Sequence, residues 1–313
     1  MRILVTGAGG FIGSALVRAL RDRGDTVHPL VRRSPAPGEV GFDLASRSLD
    51  TTSLPGHSLE GIDAAVHLAG APIIARWSEK RLEAIRTSRI ALGDVVARSL
   101  ASLERLPSVL VSGSAVGIYG DRGNEVLDET SSQGTGLLAD LCRSWEASTA
   151  PATESGIRVV TIRTGIVLGG TGGAEGGILK AQSPLFKLGL GARLGDGQQW
   201  TSWIALDDEV AVILRAIDDG ALKGVLNATS PNPVRNGELT EAIAACFNRR
   251  ARLFLPARML RLAIGRGPTD EVLLASQKVL PKRLTEAGFV AAHGELCDAL
   301  AAAVGPGRTL RST

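Results

Sequence analysis

Short apolar runs separated by amphipathic stretches set the rhythm of the first half of this chain. Residues 3–5 form one such run, closed by Thr6 and Gly7, which reads as a strand buried on both faces. Over 11–23 apolar residues return at helical spacing, with Ile12, Ala15, Leu16, Ala19 and Leu20 on one face. Gly24 and Asp25 end that helix. Residues 26–31 read as the next strand. Strand, helix and strand together span about 30 residues, the size of a βαβ unit. The alternation continues with a strand over 64–68, a long helix over 78–103 and a strand over 109–112. A helix over 137–155 ended by Gly156 and a strand over 158–163 follow. This pattern predicts an α/β fold of Rossmann type, a doubly wound parallel sheet with helices on both faces.

The texture changes after Leu168. Residues 169–177 are rich in glycine and read either as a surface connection or as an active-site lid. Further on, helical spacing recurs at 240–248, 257–264 and 296–304. The expected division is a cofactor-binding Rossmann domain over 1–168, rejoined at about 204–228. A smaller C-terminal α/β substrate domain takes 169–203 and 229–304, and 305–313 is a frayed tail.

Composition narrows the partners. Hydrophobic residues are 44% and charged residues 21%, an ordinary globular balance, while 4% aromatics require an aliphatic core. Lys plus Arg exceeds Asp plus Glu by 35 − 32 = 3, and the excess is dispersed, so nucleic acid is not expected as a partner. Cys142, Cys246 and Cys297 form neither a CxxC pair nor a metal-ligand spacing, which points to a reducing compartment with no metal site. No run reaches the ~20 apolar residues of a membrane helix, and the start of the chain lacks a signal peptide's apolar core. A cytoplasmic protein off the membrane is expected, a monomer or homodimer acting on a small molecule.

Residues 6–13 read Thr-Gly-Ala-Gly-Gly-Phe-Ile-Gly and join the first strand to the first helix. Gly7 suits a tight turn, Gly9 and Gly10 let a pyrophosphate approach the backbone, and Gly13 lets the helix pack on the sheet. The first helical amides, at Phe11, Ile12 and Gly13, then face the phosphates at the positive helix pole. The strand before and the helix after set this loop apart from an ordinary glycine-rich turn. The second strand ends at Arg32-Arg33, where an NAD-binding unit carries an acidic residue for the ribose hydroxyl. Two arginines suit the 2′-phosphate of NADP(H), with a solvated surface pair as the alternative.

With that loop, Asp63-x-x-Val66-His67-Leu68-Ala69-Gly70 resembles the extended short-chain dehydrogenase/reductase family. The resemblance implies that Leu68, Ala69 and Gly70 run beside the cofactor, that Asp43-Leu44 contacts the adenine, and that the His67 ring is a core histidine. Further segments resemble the epimerase family protein branch, whose members carry a small C-terminal domain of unknown function. These are Arg76-Trp77-Ser78, Ser88-Arg89, 112–120, Trp145-Glu146, 163–169, 195–204, Asp207-Asp208, Leu280-Pro281 and 287–289. The likeness runs from Met1 to about Val304. It implies a cofactor contact at Arg163 and substrate contacts at Arg76, Trp77, Gln199 and Trp200, with Trp203 in the core. It also places Arg86 and Arg89 near the cleft mouth, either to bind an anionic substrate or simply as solvated charges.

In the wider family a Ser or Thr works with a Tyr and a Lys four apart on one helix, the Lys charge easing ionisation of the Tyr. Here Cys142 falls at the Tyr position and Glu146 at the Lys position. The catalytic candidates are therefore Ser114, Tyr119, Glu146 and Cys142. Cys142 is alternatively a small buried hydrophobe, and Glu146 an ion-pair partner. The expected function is an NADP(H)-binding epimerase/dehydratase-like oxidoreductase with an atypical site. The alternative is a non-catalytic NADP(H)-binding sensor or scaffold, and a plain sugar-nucleotide epimerase ranks behind both.

Overall fold

The computed structural model describes residues 1–43, 46–169 and 177–304. Leu44, the interior of the glycine-rich segment and the tail 305–313 lie outside the described residues. The centre is an eight-stranded sheet. From one edge its order is Gly224–Ala228, Arg158–Thr164, Val109–Ala115, Ala64–His67, Arg2–Thr6, Thr26–Val31, Val40–Asp43 and Ser48–Asp50. All neighbours are parallel except the last pair. The chain starts mid-sheet, moves outward, then returns to the other side of its first strand. The fold is Rossmann-like, and its crossover lies between Arg2–Thr6 and Ala64–His67, where such sheets open a ligand crevice at the strands' carboxyl ends.

Alternation along the first strand divides the core. Ile3 and Val5 pack with Leu16 and Leu20 of the helix Phe11–Asp22 and with Val210, Ile213 and Ile217 of the helix Leu206–Asp218. Leu4 faces the other layer, with Val95, Val96 and Leu100 of the helix Leu92–Ala101. Each such side chain contributes about 1.5–3 kcal/mol on burial. The last third has a core of its own, in which fully buried Trp203 packs with Leu168, Leu239, Ile243 and Leu300. Among the described residues no helix is long and apolar enough to cross a membrane.

Two long helices expected from spacing are interrupted. Residues 79–101 form the helix Glu79–Arg86, a wide π-helical turn Thr87–Ala91 and the helix Leu92–Ala101. The stretch 137–155 splits into Leu137–Ala147 and Ala150–Glu154. Pro151 sits in the first turn of the second piece, where its missing N–H costs nothing, but the first helix cannot run through it. The helix Leu206–Asp218 was not anticipated. Asp207, Asp208 and Glu209 occupy its first turn, at the favourable pole.

Glu209 has no exposed surface. Thr164 donates to its Oε1 at 2.8 Å, while Oε2 has no partner among the described residues. Burial pushes its carboxyl up to about 7. The folded state therefore holds this proton across a range where the unfolded chain has released it. Its contribution is present below about pH 4.5 and is lost as pH rises to about 7. Glu209→Gln removes that dependence and is expected to exceed the wild type in stability at pH 8 by up to about 3 kcal/mol. Urea denaturation at pH 5.5 and 8 measures it, and parallel profiles for the two proteins would refute it.

Candidate functional site

The turn after the first strand is built by exclusion. Gly7 is left-handed at φ 71°, and a Cβ there would stand 2.7 Å from the Leu68 carbonyl and 2.8 Å from the Ala69 nitrogen. A Cβ on Gly13 would collide with the Gly7 carbonyl. Glycine at both positions lets the helix start against the strand. Gly9 instead is exposed and faces open space, with nothing within 4 Å of where its Cβ would be. The helix begins at Phe11 with Gly10 as its cap, no capping side chain and no acidic residue in its first turn. Its first amides and positive pole thus stand open to an anion.

At the end of the second strand Arg32 is exposed and makes no ion pair among the described residues. Arg33 is also exposed, but it bonds Glu39 at 2.7 Å and the Ser34 carbonyl at 3.0 Å. Asp43 ends the next strand and accepts from the Ser46 hydroxyl at 2.6 Å. The Leu68–Gly70 segment leads away from Ala64–His67. Its Leu68 and Ala69 amides donate to Thr6 Oγ1 at 3.2 and 3.1 Å. Thr6 in turn donates to His67 Nδ1 at 2.8 Å, and His67 Nε2 donates to the Arg89 carbonyl at 3.0 Å. Burial pushes the His67 ring down to about 4, so it stays neutral, and both nitrogens are used within the fold.

Four candidates meet at the carboxyl end of the neighbouring strands. Ser114 lies opposite Arg163 in the parallel register. Its hydroxyl donates to Glu146 Oε1 at 2.7 Å. Arg163 clamps the same carboxylate with two bonds, Nε to Oε1 at 2.8 Å and Nη2 to Oε2 at 2.9 Å. Its third nitrogen donates to the Tyr119 hydroxyl at 2.9 Å, and that hydroxyl donates to Asn227 Oδ1 at 2.8 Å. Burial works against the Arg163 charge, but hydrogen bonding and attraction from Glu146 and Tyr119 outweigh it and hold the guanidinium ionised.

Two candidates sit where they do no proton or nucleophile chemistry. Tyr119 has no exposed surface, its oxygen is engaged on both sides, and burial raises its phenol. Cys142 is 1% exposed, and burial, reinforced by Glu146, pushes its thiol up to about 12. It is a small hydrophobe packed with Val116, Tyr119 and Leu141, not a thiolate.

The expected substrate contacts have two sets of surroundings, Arg76 and Trp77 beside residues 262–267 and Gln199 and Trp200 beside Arg235. Arg76 is exposed and bonds the Leu262 carbonyl at 3.0 Å. Trp77 donates to the Ile73 carbonyl at 3.0 Å and packs its ring against Gly267. Gln199 is buried and spans the carbonyls of Leu194 and Leu273. It borders a surface cleft of about 760 Å³ lined also by Arg193, Arg235 and Phe254. Trp200 lies between the cations of Arg235 and Lys278, 4.1 and 4.3 Å from its ring.

A model of the NAD dependent epimerase/dehydratase family matches residues 3–228. The chain belongs to this family. A second model, a domain of unknown function called DUF1731, matches residues 255–303. An epimerase family protein of Mycobacterium bovis is 42% identical over 300 residues, covering 95% of this chain and 96% of the relative. The human epimerase family protein SDR39U1 is 34% identical over 304 residues, covering 96% and 98%. A crystal structure of that human protein, isoform 2, with NADPH aligns at a TM-score of 0.87 and 31% identity, over 97% of this chain and 99% of that one.

In this member of the family, Glu146 stands in a bidentate ion pair with Arg163. Asn227 was missed, although a polar residue inside the apolar run Val225-Leu226-Asn227-Ala228 is the kind of signal that marks a buried network. Breaking the clamp exposes its energetics, because Arg163 and Glu146 side chains are only 5% and 14% exposed. Glu146→Gln leaves the Arg163 charge buried without its partner and is expected to cost roughly 3–5 kcal/mol in denaturant unfolding. Glu146→Leu with Arg163→Met recovers most of that loss. A double variant as unstable as Glu146→Gln would show that packing, not the stranded charge, sets the loss.

Proposed function

We propose that the protein is an NADP(H)-binding oxidoreductase of the epimerase/dehydratase kind, working without a Tyr-Lys pair. The uncapped start of the first helix above Gly9 carries this reading, because it suits a diphosphate and its first turn carries no acidic residue. Gly7, Gly9, Gly10, Phe11, Ile12 and Gly13 form the phosphate cradle, with Leu68, Ala69 and Gly70 as the adjoining wall. Exposed, unpaired Arg32 takes the 2′-phosphate. Arg33, whose own side chain is largely exposed, joins it by leaving Glu39. The NADPH in the human relative's structure agrees with this choice.

The bound dinucleotide supplies the hydride chemistry, and the protein orients the reactants. Ser114 then contributes a hydroxyl at the carboxyl end of its strand, held in one orientation by Glu146. Glu146 is a positioning residue in this scheme, since Arg163 occupies both of its oxygens. Arg163 holds Glu146 and Tyr119 in place of touching the cofactor. Residues 1–168 with 204–228 serve as the cofactor domain, and the remainder shapes the substrate side.

Two measurements test the scheme. Arg32→Ala is expected to weaken NADPH about tenfold or more while leaving NADH within about twofold. Equal losses for both would remove the phosphate assignment. Across a panel of aldehydes, ketones and keto sugars, NADPH oxidation by the wild type should exceed the protein-free rate. Ser114→Ala should lower it about 10²-fold. The bidentate hold of Arg163 on Glu146 favours one other reading, a non-catalytic NADP(H) sensor. Tight NADPH binding with no oxidation anywhere in the panel would establish the sensor and end the enzyme reading.

A further inference from the structure

The sheet's crossover side holds a second, half-buried arginine, and unlike Arg163 it has no carboxylate partner among the described residues. Arg89 lies in the middle of the wide turn Thr87–Ala91, which interrupts an otherwise regular helical run. Such turns recur at functional sites because they displace a side chain from helical register. This one is pinned from below, since the Arg89 carbonyl receives the Nε2 proton of neutral His67, itself fixed by Thr6. The anchoring chain thus ties the turn to the Gly7 loop, through the hydroxyl that also holds the Leu68 and Ala69 amides.

The guanidinium itself is held in a defined place. Nη1 donates to the Ala71 carbonyl at 3.0 Å, and the group lies 5.0 Å from the centre of the Trp145 ring. A Cβ on Gly70 would stand 2.8 Å from Nη2, so glycine there leaves room for the cation. Gly70 is exposed, Trp145 is buried, and Glu146 follows Trp145 on the helix Leu137–Ala147. Arg89 therefore sits between the wall of the proposed cofactor crevice and the helix bearing the Ser114 clamp. Among the described residues no carboxylate pairs with it, and the Ala71 carbonyl is its single hydrogen-bond acceptor. Its other nitrogens are not sealed from solvent. Burial holds its charge at a disadvantage, seen as a guanidinium pKa below the ordinary range.

We infer that Arg89 is an oxyanion receptor of the crevice, taking a phosphate or carboxylate oxygen of a bound ligand beside Gly70. The physical reason is charge balance: a partly desolvated cation with open fork geometry and no protein counter-ion is completed by a bidentate anion. The stack on Trp145 preorients the fork, so little entropy is lost on binding. The inference rests on the cofactor reading above, and the oxyanion comes either from the dinucleotide or from the substrate.

The test uses the full-length protein and two probes. NADPH binding is followed by fluorescence, and inorganic phosphate is followed through the melting temperature of the NADPH-saturated protein. If the dinucleotide supplies the oxyanion, Arg89→Gln weakens NADPH about tenfold or more and Arg89→Lys restores part of the loss. If a substrate supplies it, Arg89→Gln binds NADPH as the wild type does. Phosphate then stabilises the NADPH-loaded wild type and not the variant. A variant matching the wild type in both responses overturns the inference while leaving the cofactor reading intact. A wild type that fails to bind NADPH sinks the cofactor reading instead. Should Arg89→Gln not fold, Arg89→Met, which keeps a flexible stem against Trp145, is read by the same criteria.

Discussion

A backbone-to-backbone contact governs this molecule: the first helix can begin where it does only because Gly13 presents no Cβ to the Gly7 carbonyl. Gly7 in turn lies against Leu68 and Ala69 across the crossover of the sheet. One hydroxyl, that of Thr6, bonds both of those residues and His67. The helix, the first strand and the wall of the crevice are thereby locked in one geometry before any ligand arrives. A preformed site of this kind avoids ordering costs at the moment of binding. It also explains why the helix start is left uncapped. A capping carboxylate would satisfy the free amides and occupy the place that the proposed function gives to the diphosphate.

The second constraint is the clamp of Arg163 on Glu146. A carboxylate stands where the resemblance implies a lysine, and it cannot supply the positive charge that lysine would bring. Both its oxygens are held by a charged, planar partner, and one also takes the Ser114 proton. The extended network through Tyr119 and Asn227 ties strands Val109–Ala115, Arg158–Thr164 and Gly224–Ala228 together by side chains. Buried polar networks are favourable only when every member is satisfied, and this one is satisfied along its length. Its contribution is rigidity at the strand ends, which is what a hydroxyl needs in order to orient a reactant.

Much of the fold was legible because the signals were local. Strand runs such as Ile3-Leu4-Val5, the period of the first helix and the spacing of Gly7, Gly10 and Gly13 each act within a few residues. The misses were of two kinds. Pro151 and the wide turn at 87–91 break helices whose apolar period runs straight through them, so periodicity alone could not see the break. Tyr119 entered as a candidate by its place in a motif, yet its hydroxyl is engaged by Asn227, 108 positions away, while Cys142 lies buried with Val116 and Leu141, as its reading as a small buried hydrophobe expects. The surroundings of the expected substrate contacts were hidden for the same reason. Arg76 and Trp77 meet the 262–267 stretch and Gln199 meets Leu273, all tertiary partners that no local pattern encodes.

Neighbouring residues of one strand carry two different electrostatic roles. Arg163 and Thr164 are adjacent in Arg158–Thr164, so their side chains point to opposite faces of the sheet. Arg163 meets Glu146 on the crevice side, and Thr164 meets Glu209 under the helix Leu206–Asp218. On the crevice side burial keeps His67 neutral down to about 4, the Cys142 thiol protonated up to about 12 and the Tyr119 phenol protonated at neutral pH. None of these groups changes charge near neutrality. The buried group that does, Glu209 at about 7, lies on the sheet face opposite the Ser114 clamp, in a helix that packs on the first helix, and among the described residues it touches no member of that clamp. A pH effect near 7 therefore acts first on the packing of the helix Leu206–Asp218 against the sheet and against the first helix, and so on the stability of the scaffold.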